Sequence, residues 1–326
     1  MSNSLEVLDS FGLTFRAINT GDIDQWFDLI RRIAAVEKPA WHDQRDDLEN
    51  ALSSSKNNPA FDTLIGFDEQ NIARAYAQVT KNPDSEKSYL FGGVDPQWQR
   101  RGIGRALLEW QQGRALERFT QASQAPGMVR VFADEHALAV NALYRSAGFQ
   151  VVRYFSEMHR ALSEEIPQLE LDSGVRIESY TPELSEQIRQ AHNEAFADHW
   201  GSEPRDQEAW GFLVNHEQFR ADWSTVAIDN VSGEVAGYQI ANYDHDVFEN
   251  SGRKEGYTEL LGVRRAYRGR GIAPALLADA MQRFIASGMD LASLDVDTEN
   301  PSGALGLYQR MGYQAVHQSM AYDKAL

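Results

Sequence analysis

One stretch of this chain occurs twice, and the repetition limits what the chain can fold into. The second copy runs from Tyr257 to Leu277. It starts with an apolar segment, Glu259-Leu260-Leu261-Gly262-Val263, that reads as a strand. It ends in Ile272, Leu276, Ala280 and Phe284, spaced as one face of a helix. Between them lies the Gly-rich turn Arg268-Gly269-Arg270-Gly271-Ile272-Ala273. The first copy is Phe91 to Leu108, with the turn Gln99-Arg100-Arg101-Gly102-Ile103-Gly104. Gly102 and Gly271 are 169 residues apart, as are Val94 and Val263. A period this long marks a duplicated domain and not a solenoid.

A strand, a Gly-rich turn and a helix start together form an anion site. Glycines let the backbone turn so that several N–H groups converge, and the positive end of the helix dipole lies behind them. The dinucleotide fingerprint needs a third glycine where this chain has Pro274, and the P-loop needs a Gly-Lys-Ser/Thr ending that is absent. What remains is a short loop suited to a phosphate or pyrophosphate, with Arg268 and Arg270 in one copy and Arg100 and Arg101 in the other as rim charges.

The elements around the two turns also repeat. A helix with Ile23, Trp26, Phe27 and Ile30 on one face is matched by one over Pro182 to Phe196. A hairpin turning at Asp68-Glu69-Gln70-Asn71 is matched by one turning at Asn230-Val231-Ser232-Gly233. A short helix ending Gly148-Phe149 is matched by one ending Gly312-Tyr313, and Glu157–Leu162 is matched by Ala321–Leu326. The fold class is therefore α/β with mixed sheets, in two domains over 1–162 and 174–326, joined by an acidic linker over 163–173. The length of 326 residues suits two such domains.

Composition narrows the partners. The net charge of −17 disfavours nucleic acid. No apolar run is long enough to cross a membrane, which makes the cytoplasm the expected location. Cysteine is absent, so thiolate metal sites and a cysteine nucleophile are excluded. The eight histidines show no His-x-x-x-His spacing, and no metal is expected.

Taken together, the residues resemble the Gcn5-related N-acetyltransferases, in the tandem two-domain form that mycothiol synthases take. The resemblance covers nearly the whole chain. It rests on Val94-x-Pro96-x-x-Gln99-x-x-Gly102-x-Gly104 with Tyr144 and Gly148-Phe149, and on Val263-x-x-x-x-Arg268-x-x-Gly271-x-Ala273 with Asn300, Tyr308 and Gly312-Tyr313. It implies that both Gly-rich loops, with Ile103 and Ile272, bind the pyrophosphate of acetyl-CoA. It also implies that the strand carrying Leu261 and Val263 pairs with the pantetheine arm and holds a bulge. The tyrosine is implied to lie by the thioester sulfur, with acetyl passing directly to a small-molecule amine. Asn300 then either bonds the pantetheine or caps the next helix. The chain is expected to act as a monomer or homodimer.

Direct transfer needs a base, because free alkylamines are protonated at neutral pH. Glu259 is the candidate, four residues before Val263 and so on the same face if the strand alternates strictly; a bulge would spoil that count. Tyr308 is the candidate acid, or else a core residue beside Leu307 and Tyr313. Asp198, His199 and Trp200 fall in the segment that the resemblance assigns to the acceptor, by charge and cation–π attraction. Trp41, His42 and Asp43 hold the same place in the first half. Counting back 169 from Glu259 gives Leu90. The first half is thus expected to bind coenzyme, or to be degenerate, and the second to be catalytic; the alternative is a non-catalytic acyl-CoA-binding protein that keeps the loops without turnover.

Overall fold

Strand, helix and turn follow one another in the same order twice. The computed structural model describes residues 8, 10–123, 126–169, 171–300 and 303–326. In chain order the elements are β1 Thr14–Arg16, α1 Ile23–Glu37, α2 Arg45–Ser53, α3 Pro59–Asp62, β2 Thr63–Phe67, β3 Ala73–Thr80, β4 Lys87–Val94, α4 Ile103–Gln121, β5 Met128–Asp134, α5 Leu138–Ser146 and β6 Gln150–Ala161. Then come β7 Val175–Ser179, α6 Ser185–Ala195, α7 Gln207–Val214, β8 Thr225–Asp229, β9 Val235–Asn242, α8 His245–Ser251, β10 Glu255–Val263, α9 Ile272–Ala286, β11 Leu291–Asp297, α10 Ala304–Arg310 and β12 Gln314–Ala325. No helix among the described residues is long and apolar enough to cross a membrane.

The chain divides into two compact units, and the division differs from the expected one at 162–174. Unit 1 holds the residues up to Tyr154 together with Ser319–Leu326; unit 2 is Phe155–Gln318. Phe155–Ala161 of β6 pairs antiparallel with Leu291–Asp297 of β11, inside unit 2. Ser319–Ala325 of β12 pairs antiparallel with Met128–Asp134 of β5, inside unit 1. The two closing segments that match in sequence are thus exchanged, each completing the other half's sheet. Two segments with the same pattern fit either edge, so their sequence does not say which one each joins.

Unit 1 has the strand order β1-β2-β3-β4-β5-β12, and unit 2 the order β7-β8-β9-β10-β11-β6. Each sheet is covered on both faces, which is why β2 and β9 are buried at every position. In unit 1, α4 packs on one face against Val79, Leu90 and Val131, while Trp26, Leu29 and Ile30 of α1 pack on the other against Tyr76. In unit 2, α9 lies on one face with Leu294, Met158 and Val263, and α6 lies on the other with Tyr238, Ile240 and Leu260. The exchanged strand of unit 1 is held by Arg130, whose Nε and Nη2 donate to Asp323 at 2.7 and 2.8 Å. In unit 2, Arg160 donates to the carbonyl of Met311 at 2.7 Å.

Candidate functional site

Both Gly-rich loops adopt one backbone from different residues. In unit 2, Gly269 and Gly271 have φ of 76° and 74°, and Gly271 is the N-cap of α9. In unit 1, Gly102 has φ 93° as the N-cap of α4, and the other left-handed place is taken by Arg100 at φ 63°. Left-handed backbone is rare outside glycine. Arg100 therefore bears a conformational cost to keep the shape that Gly269 adopts freely. The side chains of Ile103 and Ile272 are buried in the cores, so only their backbone N–H groups face the cradle.

The strands part where each loop begins. Parallel pairing of β4 with β5 is confined to Lys87–Tyr89, and of β10 with β11 to Glu255–Thr258. Beyond Tyr89 the backbone of β4, and beyond Thr258 that of β10, no longer pairs with the neighbouring parallel strand. In unit 1 the opening widens into a cavity of about 530 Å³. Its wall includes Val94, Gln99, Arg100, Gly102, Gly104 and Tyr144, all expected from the sequence. A methyl group on Gly104 would reach to within 3.6 Å of Leu143 across this space. Those dimensions and the converging N–H groups suit a pantetheine arm and a pyrophosphate. Arg101 instead lies over the Trp98 ring, 4.3 Å from its centre.

The unit 2 arginines are tied to protein. Arg268 Nη2 donates to the carbonyl of Ala195 at 2.8 Å, and Arg270 Nε donates to Asp172 at 2.8 Å. Leu261 and Val263 pair with Gln239 and Gly237. Asn300 does not cap the next helix, because the N-cap of α10 is Gly303.

Glu259 sits on a bulge. The pairing of β10 with β9 shifts register between Thr258 and Leu260. Strict alternation fails there, so Glu259 and Val263 do not share a face. Val263 packs on the α9 side, while Glu259 accepts from Asn242 Nδ2 at 3.3 Å. Asn242 alternates with Tyr238 and Ile240, whose side chains meet α6. The bulge thus turns the carboxylate toward the α6 face. β4 pairs with β3 without a shift from Ala75↔Val94 to Thr80↔Tyr89. Below the bulge the equivalence moves by one residue: Tyr89 faces Arg130 as Tyr257 faces Ser293. Tyr89 is then the counterpart of Tyr257, Leu90 that of Thr258, and Glu259 is an inserted residue with none. This corrects the count that set Leu90 against it.

Around Glu259 the α6 face is polar in a way the sequence reading missed. Tyr257 donates to Asp295 Oδ2 at 2.9 Å. Asp295 pairs across the ladder with Glu157, which takes a 2.5 Å hydrogen bond with His159. Partial desolvation, with the neighbouring charges of Glu157 and Glu259, pushes the Asp295 carboxyl up to about 6, a shift that solvent screens because the residue is exposed. The available signal was the alternation of Ser293, Asp295 and Asp297 within an otherwise apolar strand. The Trp200 ring lies tilted against Phe155, centroids 6.3 Å apart, on the face that Glu157 shares. Asp198 lies apart, exposed and ion-paired with Arg265. His199 bonds its own segment, through Trp200 O at 3.2 Å and Ser202 at 3.3 Å. Tyr308 is buried beside Tyr313, and burial pushes its phenol up to about 12.

In unit 1 the corresponding face holds Tyr76, Glu37 and Asp43. Glu37 ends α1 and lines the cavity. Its Oε1 accepts from Gln99 Nε2 at 2.7 Å. Asp43 is pushed up to about 7 by burial and the charge of Asp47. Trp41 is more than half exposed.

Residues 185–313 match the acetyltransferase (GNAT) family, and residues 61–151 match the acetyltransferase (GNAT) domain. A mycothiol acetyltransferase of Gordonia bronchialis is 27% identical over 277 residues, covering 81% of this chain and 83% of that one. One from Salinispora arenicola is 28% identical over 257 residues, covering 78% of each. Among solved structures, a GCN5-related N-acetyltransferase from Sphaerobacter thermophilus superposes with a TM-score of 0.72 at 23% identity, covering 96% of this chain and 95% of that one. A tandem GNAT protein from the clavulanic acid biosynthesis pathway gives 0.69 at 14% identity, covering 96% and 98%.

Proposed function

This chain belongs to the GNAT acetyltransferase family, as two tandem copies of its fold, and we propose that it moves acetyl from acetyl-CoA directly to the amine of a small molecule, with that chemistry in unit 2. The observation that carries the reading is Glu259 on its bulge, in the strand that leads into the Gly-rich loop and turned to the α6 face with Asn242. There it takes a proton from the amine, which must be neutral to attack. The N–H groups of Arg270 to Ala273 hold the pyrophosphate. Tyr308 keeps its proton at neutral pH because burial raises it, and supplies it to the departing sulfur. Each such proton transfer is worth about 10²–10⁴ in rate. Trp200, Asp198 and His199 border the acceptor. Unit 1, with its matching loop and Tyr144, binds a second coenzyme.

A second reading is a mycothiol acetyltransferase, favoured by the similarity to enzymes of that name over about four-fifths of both chains. One experiment tests both: acetyl-CoA-dependent thiol release across a panel of amines that includes a mycothiol-type acceptor. Turnover with that acceptor alone selects the second reading, and no turnover with any amine overturns both.

A further inference from the structure

The strand of unit 1 lacks a base, yet its cavity does not lack a carboxylate. Glu37 and Tyr144 stand in the wall of the same 530 Å³ space, with the Gly-rich loop. Glu37 is an awkward residue for its place. It ends α1, where the helix dipole disfavours negative charge. The next residue, Lys38, caps the helix in the left-handed conformation at φ 49°. Gln99, from the loop, donates to Glu37 Oε1 and fixes the carboxylate at the mouth of the cradle. In unit 2 the residue matching Gln99 is Arg268, and it meets the backbone carbonyl of Ala195 at the end of the equivalent helix. The carboxylate near the end of that helix, Glu194, is ion-paired with Arg264 at 2.6 Å, so in unit 2 it is the bulge that offers a carboxylate.

We propose that unit 1 is a second acyl-transfer centre, in which Glu37 is the base and Tyr144 the acid. It rests on the acetyl-CoA chemistry proposed above and adds a substrate class. With the coenzyme on the α4 side of the cavity, the acceptor meets the α1 side, where Ile33 and Tyr76 stand beside Glu37, whereas the unit 2 face carries Glu157, Glu259 and Asp295. Unit 1 therefore takes a primary amine with an apolar body. The nitrogen of the neutral amine forms a bond to the thioester carbonyl carbon and gives one proton to Glu37. The carbon–sulfur bond breaks with its electron pair on sulfur, which takes the proton of Tyr144. A water chain returns the proton from Glu37 to the phenolate. Burial and the Glu37 charge both hold the Tyr144 proton in place before the reaction. Tyr76, which lines the same cavity, is within electrostatic reach of Asp43, Tyr144 and Glu37.

The test uses the full chain with the unit 2 loop blocked by Gly271→Val, or with Glu259→Gln if the valine variant fails to fold. Calorimetry should count one coenzyme per chain with Gly271→Val and two with Glu259→Gln, and in either background 2-phenylethylamine should still drive thiol release. Adding Glu37→Gln should lower kcat on that amine about 10²–10⁴-fold and leave acetyl-CoA affinity and the amine KM in place. Tyr144→Phe should lower kcat likewise. Coenzyme bound without amine-driven thiol release, in a protein whose unmutated form is active on other amines, overturns this inference and leaves the unit 2 reading standing. Loss of turnover with Asp43→Asn but not with Glu37→Gln overturns the assignment of the base. An unmutated protein inactive on every amine is instead the failure of the function proposed above.

Discussion

Unit 1 and unit 2 share one loop backbone at a helix start and place their carboxylates differently. The cradle is made of backbone, so Arg100 can stand where the other copy has Gly269 and the turn keeps its left-handed form. A base is a side chain, and its aim depends on register. One inserted residue at Glu259 turns a carboxylate onto the α6 face; without it, β4 alternates regularly and Leu90 points at α4. Duplicated domains can therefore keep cofactor binding while their chemistry diverges, because one residue of register changes the chemistry and leaves the turn intact.

Blocking one cradle should give the largest effect. Gly271→Val places a β-branched side chain at φ 74°, and calorimetry should then count one coenzyme per chain in place of two. A folded variant that still binds two would show that the unit 2 loop is not a coenzyme site. Glu259→Gln should come next: kcat on unit 2 substrates falls by about 10²–10⁴, or about 3–5 kcal/mol of barrier, while both coenzymes still bind. Full kcat across the pH range would mean that water or another group is the base.

The exchanged strands can be tested separately. Asp323→Asn leaves Arg130 buried beside a neutral partner, at a cost of about 3–5 kcal/mol to unit 1. Denaturation followed by cavity-side tryptophan fluorescence should show it; an unchanged midpoint would mean that the pair does not hold the strand. A smaller effect concerns Asp295. Its acid is raised to about 6 in the fold against about 4 in an unfolded chain. Between those values the folded state binds more protons, so unit 2 should lose stability as pH rises toward and through 6. Asp295→Asn should flatten that slope in urea titrations run from pH 4 to 7. Asp198→Asn should have the least effect, because the Asp198–Arg265 pair is exposed. An amine KM raised by no more than about fivefold is expected, in line with about 1 kcal/mol for a surface pair, and coenzyme affinity should not change. An unchanged KM for every accepted amine would remove Asp198 from the border of the acceptor site.

Much of the molecule was legible along the chain. Apolar spacing gave the strands and helices, and glycines marked the turns, because those signals are local. The cavity-lining residues Val94, Gln99, Gly102, Gly104 and Tyr144 followed from a motif whose parts lie close together or recur at a fixed distance. Asp295 and Tyr257 were missed because they meet across strands 38 residues apart. Glu37 was missed because its partner Gln99 is 62 residues away, and a glutamate at a helix end carries no pattern of its own.

The sequence by itself determined that there are two copies of one α/β unit, each with a backbone cradle at a helix start. Alternation, helical spacing and left-handed turn positions are written in neighbouring residues, so they survive without knowledge of the fold. Only the tertiary structure decided which closing strand joins which sheet, where β10 bulges, and that Glu37 lines the unit 1 cavity. Those outcomes depend on pairing partners that compete for the same edge and on register along a ladder. Two strands with the same pattern fit either edge equally well until the sheets around them have formed.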